Sequence, residues 1–131
     1  SDGLLTYGSA GHPSPVVVRR NGVLETLDVR GAVIGAGGAL PYEQRQLRLA
    51  PGDKVLLYTD GVIENRGPSG EPFGRERFDR TLRRAAGLPV EELVPALHAE
   101  VRAFLGAARP DDNISILGIE YTGGDVEPYT I

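Results

Sequence analysis

The stretch that decides the fold is Leu49-Ala-Pro-Gly-Asp-Lys-Val-Leu-Leu-Tyr-Thr-Asp-Gly-Val62. Its centre, residues 54–59, is a nearly continuous apolar run, which predicts a strand buried on both faces. The preceding Pro51-Gly52-Asp53 predicts a turn, because proline presets φ and glycine accepts a positive φ. Asp60-Gly61 then places a carboxylate where a sheet opens to solvent. An ordinary Asp-Gly turn would fit the same pair, so this stretch alone leaves both interpretations open.

Strand patterns lie on both sides of this segment. The further predicted strands are residues 4–9, 16–20, 23–29, 42–49 and 113–121. Asn21-Gly22 predicts a hairpin between two of them. Alternation predicts that Val23 and Leu27 share one face, and that Leu47 and Leu49 share the buried face of a strand whose other side is polar.

Two helices are predicted between the decisive stretch and the last strand. Residues 73–86 repeat apolar side chains at helical spacing, with possible i,i+4 ion pairs Glu76–Arg80 and Asp79–Arg83. Residues 90–105 carry a continuous apolar stripe, which predicts a helix packed on a sheet. Residues 123–131 are predicted to form a loose tail.

Composition excludes several classes of protein. The chain has 131 residues, 40% of them hydrophobic and 24% charged, which is typical of one globular domain rather than a disordered chain. No apolar run approaches the ~20 residues of a membrane span. The net charge of −4 disfavours nucleic acid as a partner, and the absence of cysteine excludes disulfides and thiolate sites. Because the chain begins with serine and contains no methionine, we expect it to be part of a longer or processed protein.

A second acidic feature precedes the last predicted strand, in Pro110-Asp111-Asp112-Asn113. If the two strands are antiparallel neighbours, Asp60 and Asp112 lie at one rim of the sheet. Two such carboxylates repel each other, and a hard cation such as Mg²⁺ or Mn²⁺ relieves the repulsion. The alternative is a loop with solvated acids.

Several weaker sequence patterns favour structural roles over binding or catalytic ones. Gly35–Gly38 lacks the helix that a phosphate-binding loop requires, and residues 60–71 have the length of a calcium loop without its internal glycine. His12 is predicted to be a turn residue and His98 a packing residue. The arginines among residues 75–84 could hold a phosphorylated partner, although the interleaved acids favour a solvated face.

Taken together, these motifs resemble a known family. They are Ala10-Gly11-His12-Pro13, the decisive stretch, Gly70-Glu-Pro-Phe-Gly74 and Asp112-Asn-Ile-Ser115. In this order they resemble the PPM-type metal-dependent serine/threonine phosphatases, in their bacterial SpoIIE/RsbU-like branch. The resemblance implies an α+β fold with a β-sandwich flanked by helices, incomplete here, with residues 1–122 forming the C-terminal portion of the phosphatase domain.

The resemblance also implies a metal site. The family uses two Mn²⁺ or Mg²⁺ ions bridged by a water, and its aspartates match Asp60 and Asp112, with Asp111 as a neighbour. The chain departs from the pattern at Ser9, where the family usually has asparagine. It also lacks the earlier Asp-x-x-Gly-His-Gly motif that supplies more metal ligands, so we expect this chain alone to have an incomplete site.

Two functions follow as hypotheses. The first is a cytoplasmic phosphatase that acts on a phosphoserine or phosphothreonine protein, such as an anti-sigma factor antagonist in stress-dependent sigma factor regulation. The second is a truncated or inactive module that binds regulators without catalysis. An Asp-x-x-Gly-His-Gly segment before Ser1 would favour the enzyme, and a start codon close to Ser1 would favour the binding module. Exposed strand edges could also support a homodimer.

Overall fold

The order of elements is strands, then helices, then strands again. The computed structural model describes residues 4–7, 15–27, 45–107, 113–123 and 126–130. The elements are β1 Leu4–Tyr7, β2 Val16–Val18, β3 Leu24–Thr26, β4 Arg45–Arg48, β5 Lys54–Tyr58, α1 Gly61–Glu64, α2 Gly74–Ala85, α3 Val90–Leu105, β6 Ile116–Tyr121 and β7 Val126–Thr130.

Strand β5 lies at the centre of a five-stranded antiparallel sheet with the order β3-β2-β5-β6-β7. Strands β1 and β4 pair with each other in a second, two-stranded sheet. The predicted α+β architecture is confirmed. Where the sequence predicts a loose tail, β7 instead pairs along β6, with Pro128 opposite Ile119.

The hairpin predicted at Asn21-Gly22 joins β2 and β3. Gly22 has a φ of +95°, which glycine adopts without strain. The Arg19 N–H donates to the Val23 carbonyl at 2.8 Å, and the Gly22 N–H donates to the Arg19 carbonyl at 2.9 Å. The turn therefore sets the register in which Val18 faces Leu24.

The main core lies between the five-stranded sheet and the helices α2 and α3. Strand side chains on one face of the sheet meet the apolar stripes of both helices, as their spacing predicts. The buried members are Val16, Val18, Leu56, Tyr58, Val62, Phe73, Phe78, Leu82, Ala85, Ala86, Val90, Leu93, Val94, Leu97, Val101, Leu105 and Ile116.

A smaller core forms on the opposite face of the sheet. Val17, Leu27 and Val55 are buried there, and Leu47 and Leu49 pack against them. Leu47 belongs to β4 of the two-stranded sheet and Leu49 directly follows that strand, as the alternation predicted. The two sheets thus face each other, which gives the expected sandwich arrangement.

One burial prediction is wrong, and two residues predicted to share a face differ in exposure. Leu57 is 41% exposed, so β5 is not buried along its whole length on both faces. Val23 is 51% exposed although Leu27 is buried, because Val23 lies in the hairpin before β3 begins.

One predicted ion pair is also wrong. Asp79 pairs with Arg75 at 2.9 Å rather than with Arg83, whereas Arg80 lies 3.7 Å from Glu76 as predicted. Arg75 also donates to Tyr58 and Thr26 from the strands, which fixes its guanidinium beside Asp79, while Arg83 points to solvent.

Gly118 allows α3 to lie directly on β6. A Cβ atom at this position would be 2.6 Å from Val94 Cγ2 and 2.7 Å from Val90 Cγ2. We expect Gly118→Ala to lower the free energy of unfolding by about 1–3 kcal/mol, because the helix must move or strain its side chains. Urea unfolding measures this. Gly87→Ala is the control, since no atom lies within 4 Å of the added Cβ there, and an equal loss in both variants would contradict the close approach.

Asp53 ties three segments to the start of β5. Its carboxylate, which is 4% exposed, accepts the N–H groups of Arg20 at 2.9 Å and Ala50 at 2.8 Å. It also pairs with the Arg19 guanidinium at 2.8 Å, and Arg19 in turn pairs with Glu25. Burial alone would raise the pKa of Asp53, but the two N–H groups and Arg19 outweigh it and hold that pKa below its ordinary value.

This carboxylate makes a pH-dependent contribution to stability. Because the pKa of Asp53 is lower in the folded state, its contribution is present above the unfolded pKa of ~3.9 and is lost as the pH falls through the folded value. We expect Asp53→Asn to cost about 1–3 kcal/mol at pH 7, since one amide oxygen cannot replace both carboxylate oxygens. Urea unfolding from pH 7 to pH 3 should show this difference shrinking below about pH 4. The exposed Glu76→Gln is the control, and a difference for Asp53→Asn that stays constant with pH would contradict the assignment.

Candidate metal centre

Asp60 lies at the open end of β5, where the strand turns into a short helix. Its backbone carbonyl accepts the N–H groups of Ile63 at 3.0 Å and Glu64 at 2.9 Å, so it begins the first turn of α1. Its side chain makes no capping hydrogen bond, and the residue is exposed. The alternative of an ordinary Asp-Gly turn is therefore replaced by a strand-to-helix junction that presents a carboxylate to solvent.

Helix α1, which follows this junction, is anchored at two residues. Val62 is fully buried in the main core. Asn65, which ends the helix, is also buried and donates from Nδ2 to the Gly61 carbonyl at 2.8 Å. The backbone that carries Asp60 is thus held by packing at one end of a four-residue helix and by a side-chain hydrogen bond at the other.

Thr59 joins the end of β5 to the segment before β6. Its hydroxyl donates to the Asn113 carbonyl at 2.7 Å and accepts the Ser115 N–H at 3.0 Å. Its own N–H donates to the Ser115 carbonyl at 3.1 Å, which extends the ladder in which Tyr58 faces Ile116. We call these contacts the Thr59 latch.

The Thr59 latch bears directly on the predicted carboxylate pair. Asp60 directly follows Thr59, and Asp112 directly precedes Asn113. Asp111 and Asp112 lie outside the described residues, so their shared rim with Asp60 stays a prediction. The antiparallel pairing of β5 and β6, on which that prediction depended, is confirmed.

Of the two histidines named as candidates from the sequence, only His98 lies among the described residues. His12 and Gly35–Gly38 also lie outside the described residues. His98 is half-buried on α3, in agreement with a packing role. Sequence reasoning missed Thr59, although its β-branched hydroxyl directly before Asp60 was a signal for a side-chain bond across the strand end.

Arg75 connects the sheet to α2 near the same end of β5. It donates to the Tyr58 hydroxyl at 3.1 Å and to Thr26 Oγ1 at 3.0 Å, in addition to its pair with Asp79. Burial raises the pKa of Tyr58, Arg75 opposes that rise, and the carboxylates of Asp79 and Asp60 add to it.

The donor set fits a hard cation in part. Within the described ranges, the Asp60 carboxylate has no hydrogen bond or ion pair, so both oxygens can accept a ligand. The described part of the chain brings no three His, Asp or Glu side chains together as a metal cage. Oxygen donors of this type suit Mg²⁺ and Mn²⁺, and Asp60 is one candidate ligand for such an ion.

Comparison with known proteins identifies the family. Residues 1–122 match the model of the family described as Stage II sporulation protein E (SpoIIE). The chain belongs to the SpoIIE family. This confirms the resemblance found in the motifs, which placed it in the SpoIIE/RsbU-like branch of the PPM-type phosphatases.

Individual relatives agree with this family assignment. The chain is 28% identical over 120 residues to Protein IcfG of Synechocystis sp.. The aligned region covers 91% of this chain and 19% of IcfG. It is 35% identical over 67 residues to Phosphoserine phosphatase RsbU of Bacillus subtilis. This aligned region covers 50% of this chain and 20% of RsbU. The solved SiaA-PP2C domain of Pseudomonas aeruginosa superimposes with a TM-score of 0.73 at 27% identity.

The chain spans only part of these relatives. It covers about a fifth of IcfG and of RsbU. The superposition on the SiaA domain includes 92% of the present chain but only 47% of the SiaA chain. This agrees with the incomplete phosphatase fold expected from the motifs. Among the described residues, no helix is long and apolar enough to cross a membrane.

Proposed function

We propose that the protein containing this SpoIIE-family chain is a metal-dependent phosphatase that hydrolyses phosphoserine or phosphothreonine on a protein regulator. The observation that carries the proposal is the exposed Asp60 carboxylate on a rigid strand-to-helix junction, beside the Thr59 latch. The similarity to a phosphoserine phosphatase supports the reaction class. The proposed place of action is the cytoplasm, and the proposed substrate class includes anti-sigma factor antagonists.

Asp60 is the proposed ligand from this end of β5, and Asp112, with Asp111 beside it, is the proposed ligand from the start of β6. When bound, Mn²⁺ or Mg²⁺ supplies a water of lowered pKa and a positive charge beside the phosphate. Two observed features support this proposal: the Thr59 latch joins the end of β5 to the segment before β6, and the hydrogen bond from Asn65 to Gly61 anchors the helix that follows Asp60.

A comparison of two proteins tests the proposal. We expect the natural full-length protein to hydrolyse an aryl phosphate and a phosphoserine peptide only with Mn²⁺ or Mg²⁺ present. The 131-residue chain alone should bind metal weakly and show little turnover, because two or three carboxylates make a poor cage for two divalent ions. Phosphatase rates of both proteins are measured side by side with and without Mn²⁺.

Each outcome of that comparison is informative. Robust Mn²⁺-dependent turnover by the 131-residue chain would show that it contains further metal ligands. No turnover by the full-length protein would contradict the phosphatase and favour the binding module. The homodimer predicted from strand edges is tested separately, by light scattering of the purified protein.

A further inference from the structure

A groove of about 310 Å³ lies between α2 and α3, on the outer side of the helical layer. Its charged lining is mainly basic, with three arginines and one glutamate, although the whole chain has a net charge of −4. The lining residues are Phe73, Arg77, Arg80, Thr81, Arg84, Glu100, Ala103 and Phe104. Among the residues that line the groove, arginines therefore outnumber carboxylates.

Arg77 is held in place at the floor of this groove. Its guanidinium lies 4.4 Å from the centre of the Phe104 ring, and Nη1 donates to the carbonyls of Pro72 and Phe73 at 3.2 and 3.0 Å. Phe73 and Phe104 contact each other edge to face, with ring centres 5.6 Å apart. A guanidinium oriented in this way loses little conformational freedom when it binds an anion.

The carboxylates near the groove are weak competitors for the arginines. The closest N···O distances are 3.7 Å for Arg77–Glu71, 3.7 Å for Arg80–Glu76 and 3.4 Å for Arg84–Glu100. All six side chains are at least about one-third exposed. Exposed pairs of this kind contribute little free energy, so an incoming acidic group can exchange with them at low cost.

The groove is joined to the C-terminal end of α1, the short helix that begins after Asp60. Phe73, at its near end, donates its N–H to the carbonyl of Asn65, the residue that ends α1. From Phe73 to Arg84 the helix rises roughly 16 Å, at 1.5 Å per residue. An extended peptide covers that distance with about five residues.

We propose that the α2–α3 groove binds an acidic segment that flanks the phosphorylated residue of the protein substrate. This inference rests on the proposed phosphatase function, because it assigns the groove to the substrate. The arginines of the lining fit a peptide rich in glutamate or aspartate, and Phe73 at the near end of the groove is hydrogen-bonded to Asn65, which ends the helix that begins after Asp60.

The test uses the full-length protein and four peptides. Two phosphoserine peptides carry, on each side and after a short Gly-Ser spacer, either five glutamates or five glutamines. Two fluorescent versions have alanine in place of phosphoserine, so that binding is measured by anisotropy without turnover. The groove variant is Arg80→Glu with Arg84→Glu, and the matched control is Arg83→Glu with Arg102→Glu, two exposed arginines of the same helices outside the lining.

We expect the glutamate peptide to bind wild type more tightly than the glutamine peptide, and its binding to weaken with salt. The groove variant should lose about tenfold in affinity, because two attractive pairs become repulsive, and the control less than about twofold. In turnover, the glutamate peptide should have a lower KM than the glutamine peptide. That advantage should disappear in the groove variant, with aryl phosphate turnover unchanged.

Two results overturn the proposal: no preference of wild type for the glutamate peptide, or an equal loss of affinity in the groove variant and the control. Failure of the proposed function looks different. In that case wild type shows no Mn²⁺-dependent aryl phosphate turnover, while the anisotropy measurement still decides whether the groove binds acidic chain.

Discussion

Replacing Asp60 with asparagine in the full-length protein is expected to lower metal-dependent kcat/KM by about 100-fold or more. Loss of a residue that only orients a metal ligand typically costs 10–100-fold, so loss of a charged ligand should reach at least the upper end of that range. The substitution keeps the shape of the side chain but removes the negative charge that would hold the ion and its water. Because Asp60 is exposed and makes no capping bond, folding should be unaffected.

The measurement is a series of aryl phosphate rates at increasing Mn²⁺ concentration, with a thermal melt of each protein. Glu64→Gln is the matched control, since it removes one exposed carboxylate from the same short helix, and it should stay within about twofold of wild type. A rate for Asp60→Asn close to wild type at low Mn²⁺ would remove Asp60 from the metal centre.

The second large effect concerns stability. Leu97 lies at the middle of α3 and is 0% exposed in the core between the helices and the sheet. We expect Leu97→Ala to lower the free energy of unfolding by about 2–5 kcal/mol, because it removes buried methyl groups and leaves a cavity that rigid neighbours fill only in part. Urea unfolding at pH 7 measures the change.

Leu88→Ala provides the comparison for this loss. Leu88 is 38% exposed in the connection between α2 and α3, so the same truncation there should cost much less than in the core. A loss below about 0.5 kcal/mol for Leu97→Ala would mean that this face of α3 is not buried, and the layered arrangement would be wrong.

The sequence predicts those elements whose local pattern agrees with their tertiary environment. The stripe on α3 predicts its bounds and most of its buried face, where Val90, Leu93, Val94, Leu97, Val101 and Leu105 are buried. Asn21-Gly22 predicts the hairpin because the turn itself requires a left-handed residue, which Gly22 supplies. Asp60 was found because a carboxylate that directly follows a buried strand lies at the edge of a sheet.

Other features depend on neighbours that the local pattern does not contain. β7 was missed because residues 123–131 were expected to be loose, and the strand depends on its pairing with β6, which the local sequence does not contain. Leu57 is 41% exposed although Val55, two residues earlier in the same strand, is buried, and the apolar run alone does not distinguish the two positions. The pairing of Asp79 depends on Arg75 being held by two strands that are distant in sequence.

The candidate site shows the same division. Residue types predicted the position of Asp60 at the end of β5, and the antiparallel pairing of β5 with β6 meets the condition on which the predicted rim with Asp112 depends. The Thr59 latch was not predicted, because a hydroxyl between two strand ends has many possible partners until the register is known. The α2–α3 groove was not predicted either, because the acids interleaved among the arginines favoured a solvated face, and the groove depends on how the two helices pack.

Strand β5 has an aspartate near each end, Asp53 before it and Asp60 after it, and the two side chains have different surroundings. The Asp53 carboxylate accepts two backbone N–H groups and pairs with Arg19. The Asp60 carboxylate makes no capping hydrogen bond and is exposed to solvent. Natural selection can therefore act on them independently. If Asp60 binds the metal as proposed, a relative that has lost Asp60 but kept Asp53 would keep the fold without the activity, whereas one that has lost Asp53 would be less stable. The residues at these two positions across relatives would then distinguish inactive proteins from active ones.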